Sequence, residues 1–131
     1  MVWSVPNRFN LSVGTSKKVS FIPRGSLASD VTLDFNNLDA GEVVGNQYIS
    51  DGVTISSADD DHPVMIFDTA NPTGGDDDLA SDTLGNVLIL SEDGDSTDPD
   101  DNATGGTFVF DFADVSTVNS LTFHDMDNGA G

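Results

Sequence analysis

A chain of 131 residues is long enough for one domain with a true core and too short for two. Its 23 acidic residues face four basic ones, a formal net charge of −19, so the basic footprint that nucleic-acid phosphates require is missing and anionic membranes are disfavoured. No cysteine is present, which excludes disulfides and thiolate metal sites.

The charges are partitioned along the chain. Arg8, Lys17, Lys18 and Arg24 are the only cations, and all precede the first acid, Asp30. Residues 1–25 therefore read as a lead-in arm with one strand around Lys18 to Ile22, closed by the turn-forming Pro23-Arg24-Gly25-Ser26. Asn, Ser, Lys and Arg interrupt every apolar run of that arm, so it is no signal peptide, and no stretch suits a membrane span. Residues 26–131 read as an acidic body.

In the body, short strands alternate with turn residues. Val31, Leu33 and Phe35 alternate with Thr32, Asp34 and Asn36, which predicts a half-buried strand. Val43 to Ile49 is a weaker candidate, and Gly52 to Ser56 alternates again. Val64 to Phe67 is a continuous apolar run that Pro63 starts and Asp68 ends. Asn86 to Ser91 contains Val87-Leu88-Ile89-Leu90, a strand with no polar face, as expected where both faces are buried. Thr107 to Phe112 sets Phe108, Phe110 and Phe112 on one face, and Val118 to Phe123 does the same with Leu121 and Phe123. Six or seven strands without an amphipathic helix predict an all-β fold, an antiparallel β-sandwich of jelly-roll type. Met126 to Gly131 reads as a loop, so the sandwich is expected to be incomplete at its C-terminus.

Two acid-rich loops flank the apolar strand 86–91. Asp76-Asp77-Asp78 precedes it and Glu92 through Asp101 follows it. Ionised carboxylates gathered at the ends of one strand repel one another unless a cation collects them or water and salt screen them. Of the 23 acids only Glu42 and Glu92 are Glu, leaving 21 Asp. Asp suits turns and hard-cation loops, whereas a surface tuned for solvation alone would recruit Glu as well.

The succession LDFNNLDAGEVVGNQYISDGVTIS, PVMIFDTANPTGGDDDLAS, GNVLILSEDGDSTDPDDN, GGTFVFDF and LTFHDMD resembles a domain recurrent in exported proteins of marine and other aquatic bacteria, often with a C-terminal sorting signal of the PEP-CTERM kind. The likeness runs from Val31 to Asp127 and is most specific over 67–78 and 85–102. It implies a carbohydrate-binding-module-like, calcium-containing jelly roll, exported by a signal outside this chain. It also implies further strands beyond the equivalent of Asp127.

Calcium takes six to eight oxygen ligands, typically from an irregular loop. Asp93 to Asn102 offers alternating carboxylates bent by Gly94 and Pro99. It is not an EF-hand, because Asp98 stands where Gly is required and Thr104 where a bidentate Glu is required. Gly74-Gly75-Asp76-Asp77-Asp78 occurs once and so is no β-roll repeat. By strand-end placement, Asp68 with Asp76, Asp77 and Asp78 forms one candidate ligand set. Glu92 and Asp93, ending the central strand, form the second with Asp125 or Asp127; Asp95 and Asp98 of the following loop are further candidates, and Asp76, Asp78, Asp93 and Asp95 are the foremost. Asp59-Asp60-Asp61 reads as a solvated turn, and His62 and His124, set among hard oxygen donors, read as structural rather than as zinc ligands.

Catalysis is disfavoured. Asp125 with Asp127 or Glu92 with Asp93 could be proposed as a glycosidase pair, but acids lying in runs lack the apolar pocket that raises a general acid's pKa. No Gly-x-Ser-x-Gly elbow is present. The expectation is a non-catalytic, calcium-binding module at the cell surface or outside it, acting in binding polysaccharide or cell-surface glycan or as a structural or adhesion unit. Its rivals are a glycan-active enzyme and a halophilic acidic domain with no specific metal site.

Overall fold

A computed structural model of the chain describes residues 3–5, 8–13, 17–23 and 30–124. Within them run nine strands: β1 (Trp3–Val5), β2 (Arg8–Val13), β3 (Lys17–Pro23), β4 (Val31–Leu33), β5 (Val53–Ser57), β6 (Val64–Asp68), β7 (Asn86–Leu90), β8 (Gly106–Phe112) and β9 (Ser116–Phe123). One sheet has the order β1-β9-β3-β7-β6 with β4 also on β3, the other the order β2-β8-β5. Every pairing is antiparallel.

One apolar core joins the two sheets. The first contributes Leu33, Val64, Ile66, Leu88, Leu90 and Val118, the second Val53, Ile55, Phe108, Phe110 and Phe112. Alternation places the three phenylalanines of β8 on one face, as the sequence predicts. The run in β7 is buried on both sides, again as predicted. Leu88 and Leu90 face the shared core, whereas Val87 and Ile89 join Met65, Phe67 and Leu79 in a second cluster on the outer face of the β6–β7 ribbon.

Residues 1–25 carry more order than one strand. The expected strand at 18–22 is β3, which lies between β9 and the β4–β7 edge. β1 and β2 come in addition, β1 on β9 and β2 on β8. Arg8 sits opposite Asp111 in the β2–β8 register and grips it as a fork, Nε to Oδ1 at 2.8 Å and Nη2 to Oδ2 at 3.0 Å. That pairing holds the Asp111 carboxyl below its ordinary range, by hydrogen bonding first.

Two predicted strands are cut short. Phe35 is buried, but its backbone lies in the left-handed region at φ 60°, a conformation that bulky residues adopt only under constraint, and β4 ends at Leu33. Its ring meets Tyr48 edge-on with centroids 5.7 Å apart. The 43–49 segment forms only an isolated bridge, Val43 to Met65, followed by a 3-10 turn at Ile49–Asp51. Gln47 explains this: its amide accepts from Gly45 N at 2.6 Å and donates to Val43 O at 2.8 Å and Glu42 Oε1 at 2.9 Å, folding the segment on itself. The result is a strap. Gly41 N donates to Ile66 O, Ile66 N to Glu42 O and Val44 N to Val64 O along β6, and Ile55 N of β5 donates to Gly45 O.

Candidate functional site

Both acid-rich loops are connections from the ends of β7. Residues 69–85 join β6 to β7, and residues 91–105 join β7 to β8. A five-residue strand separates its ends by about 17 Å at ~3.3 Å per residue, so the loops could meet only by folding back over the sheet. They do. Thr73 Oγ1 donates to Pro99 O at 2.6 Å, Gly74 N to Asp98 Oδ1 at 2.9 Å, and Asp101 N to Asp76 Oδ2 at 2.7 Å. Gly74, at φ 66°, brings its Cα so close to Asp100 that a Cβ there would overlap that side chain. Only glycine fits the approach, which gives the Gly74-Gly75 pair a packing role.

The second loop is closed by its own backbone. Glu92 N donates to Asp100 O at 3.2 Å and Asn102 N to Leu90 O at 2.7 Å, while Ser91 bridges Asp101, so 100–102 returns antiparallel along 90–92. Pro99 is buried at the bend.

Asp100 is the centre of this arrangement. Its Oδ1 is buried and has no hydrogen-bond partner. Burial pushes its carboxyl above the usual carboxylate range, and the negative charges of Asp93, Glu92, Asp76 and Asp98 push it further in the same direction. A buried carboxylate oxygen without a donor, among four like charges, is an electrostatic fault that a proton or a cation repairs.

The charges that bear on Asp100 thus come from Asp76, Glu92, Asp93 and Asp98, candidates on both loops, while Asp100 itself is not among the predicted ligands. The other predicted ligands lie apart. Asp68 accepts from Ala70 N at 3.0 Å and from Asn71 Nδ2 at 2.7 Å, which makes it a turn former at the end of β6. Asp77 and Asp78 are exposed in the 3-10 turn Asp77–Leu79. Asp95 accepts from Thr97 N and Thr97 Oγ1, both at 2.8 Å, and these bonds hold its carboxyl below the ordinary range. Asp125 and Asp127 lie outside the described residues. Asp59, Asp60 and Asp61 are exposed, with Asp59 Oδ1 accepting from Asp61 N. His62 donates from Nδ1 to Ser91 O at 3.1 Å.

Among the described residues, no three His, Asp or Glu side chains already stand arranged to hold a metal ion. Around Asp100, Glu92, Asp93 and Asp98 are exposed, with Asp93 Oδ1 accepting from Asp95 N at 2.8 Å and Asp98 Oδ1 from Gly74 N at 2.9 Å. Among the described residues, no helix is long and apolar enough to cross a membrane. Comparison with protein-family models, with curated proteins and with solved structures finds no significant match.

Proposed function

We propose that this chain is a non-catalytic, calcium-binding β-sandwich of jelly-roll type from an exported bacterial protein, used as a structural or adhesion unit. The observation that supports the ion is the buried, unpartnered Oδ1 of Asp100 at the junction of two acid-rich loops. An ion there requires Asp93 and Glu92 to swing toward Asp100, with Asp76, Asp98, backbone carbonyls and water completing a hard-oxygen shell. Binding would then convert mutual repulsion into a clamp between the β6–β7 and β7–β8 connections.

A structural role is favoured over a sugar platform by the fate of Tyr48, the one tyrosine in the chain. It is buried, with its hydroxyl donated to Asn37 Oδ1 at 2.8 Å, so it offers no flat face for stacking. Glycan contact in this module would run through the ion itself. Glu92 and Asp93, one carboxylate pair that an enzyme reading would use, are both exposed and lack the apolar surroundings of a general acid.

The test is a thermal melt in calcium, in magnesium, in EDTA and in molar NaCl. Extracellular modules bind calcium with a Kd of about 10⁻⁴ to 10⁻³ M. Free ion at about 100 times Kd stabilises by roughly 2.7 kcal/mol, which for a chain of this size raises the midpoint by about 10 °C. A midpoint indifferent to EDTA but raised by NaCl would replace this reading with a salt-screened acidic surface.

A further inference from the structure

The β6–β7 ribbon has two apolar faces, and they are buried by different means. The inner face belongs to the core between the sheets, whereas the outer face, Met65, Phe67, Val87 and Ile89, packs with Leu79 and Leu84 of the 69–85 connection. Leu79 is fully buried there.

This connection has a narrow neck. The single hydroxyl proton of Thr69 is shared between Ser81 O at 2.9 Å and Gly85 O at 2.8 Å, Thr69 N donates to Gly85 O at 3.3 Å, and Ser81 N returns to Thr69 O at 2.8 Å. Beyond the neck, local bonds stiffen the loop: Asp76 N to Thr73 O, Leu79 N to Asp76 O and Ala80 N to Asp77 O. Its tip is fastened by the three bonds to Asp98, Pro99 and Asp101 already described. The loop is therefore internally ordered, hinged at one end and tied at the other, with apolar side chains beneath it.

We infer that residues 69–85 are a lid that opens as one unit about the Thr69–Gly85 neck, latched by the contact of its tip with Asp98–Asp101, and that calcium fastens this latch. The part given to calcium rests on the function proposed above. Opening exposes the outer face of β6 and β7 while the core between the sheets stays closed, because the two apolar faces share no side chain.

Hydrogen–deuterium exchange on the full chain tests this, read at peptides over 69–85 and at control peptides over Val53–Ser57 and Gly106–Phe112, in calcium and in EDTA. The expected result is that the lid exchanges at least tenfold faster than the controls in EDTA and that calcium slows the lid as well as the controls, because an ion held by the closed latch opposes both opening and unfolding. Thr73→Val removes the bond to Pro99 O and should speed lid exchange about five- to tenfold in either medium, with Thr73→Ser restoring it. If the lid and the controls exchange at one common rate in every case, the lid does not exist as a unit. If calcium raises the melting midpoint and slows the controls but leaves the lid exchanging as fast as in EDTA, the ion's control of the latch is overturned while the ion itself stands. If calcium moves neither, the ion reading and its control of the latch fall together.

Discussion

Substituting alanine at Gly74 and at Gly75 separates two costs that usually come mixed. Both residues have left-handed backbones, at φ 66° and 91°, and a Cβ in that region costs roughly 1–2 kcal/mol at either site. Each alanine also reduces the freedom of the unfolded chain by about the same amount, so this term cancels between the two. What differs is the space. A Cβ on Gly75 meets nothing within 4 Å, whereas one on Gly74 overlaps Asp100 Cβ and stands 3.0 Å from its Cα. Carbon atoms pack at roughly 3.5–4.0 Å, so the two loops must part by more than about 1 Å. That displacement breaks the Gly74–Asp98 bond, whose charged acceptor makes it worth about 1.5–3 kcal/mol, and weakens the Thr73–Pro99 bond, worth about 0.5–1.5 kcal/mol. Gly74→Ala should therefore lose about 2–4 kcal/mol more than Gly75→Ala in urea unfolding followed by far-UV circular dichroism. Equal losses in the two variants would show that the loops do not rest on each other at Asp100, and the site built on that contact would go with it.

Asp100→Asn removes one charge from the cluster at almost constant volume. It should raise the melting midpoint in EDTA and abolish the rise on adding calcium; a variant that keeps the full calcium response would place the ion elsewhere. The pH profile follows from the same residue. Asp100 has a raised folded pKa, so its destabilisation is present above that value and is relieved as pH falls toward the ordinary carboxylate range. Asp95 and Asp111 have lowered folded values, so their stabilisation is present at neutral pH and is lost as pH falls below that range. The calcium-free midpoint should therefore climb from pH 7 toward about pH 4 and then drop, and Asp100→Asn should flatten the climb but not the drop. Phe110→Ala, emptying a fully buried position of the central strand of the smaller sheet, should cost about 3–5 kcal/mol in the same urea assay. A loss below about 1 kcal/mol would mean that β8 does not carry the core.

The parts of this molecule that were legible in its sequence are those decided by local pattern. An uninterrupted Val-Leu-Ile-Leu run has no polar face to show to water, and β7 is indeed covered on both sides. Alternate phenylalanines in β8 point one way because a strand repeats every two residues. The losses came where side chains or distant segments override that pattern. Gln47 replaces ladder bonds with its own amide, so an apparent strand at 43–49 becomes a strap. Phe35 keeps its place in the core but leaves the strand geometry to reach Tyr48. β1 and β2 were hidden because their length and texture suited an arm equally well, and their partners, β9 and β8, lie about a hundred residues away.

The acid-rich junction was half legible. Composition located both loops, and the strand-end argument named Asp76, Glu92, Asp93 and Asp98, whose charges bear on Asp100, beside Asp68, Asp77, Asp78 and Asp95, whose carboxylates serve local turns or face solvent. Asp100 was missed because nothing within Asp93–Asn102 distinguishes it from the acids beside it. Its burial is decided by Gly74, 26 positions earlier, and the one available signal was a glycine pair facing a Pro-Asp bend across an apolar strand.

The strap at 41–45 bears on solubility. A strand at the margin of a sheet offers unpaired amides and carbonyls to any other extended chain, and that invitation is how ordered aggregates begin. By bonding to β6 with Gly41, Glu42 and Val44 and to β5 with Gly45, one short segment occupies the margins of both sheets on the same flank. It does so without the lysines that commonly guard such margins, which a chain with four cations near its start does not have there. Gly41 is pressed against Ser96 O at φ 82° with no room for a side chain, so a substitution at that one residue would unseal the β6 margin, and its first symptom would be loss of soluble protein rather than loss of fold.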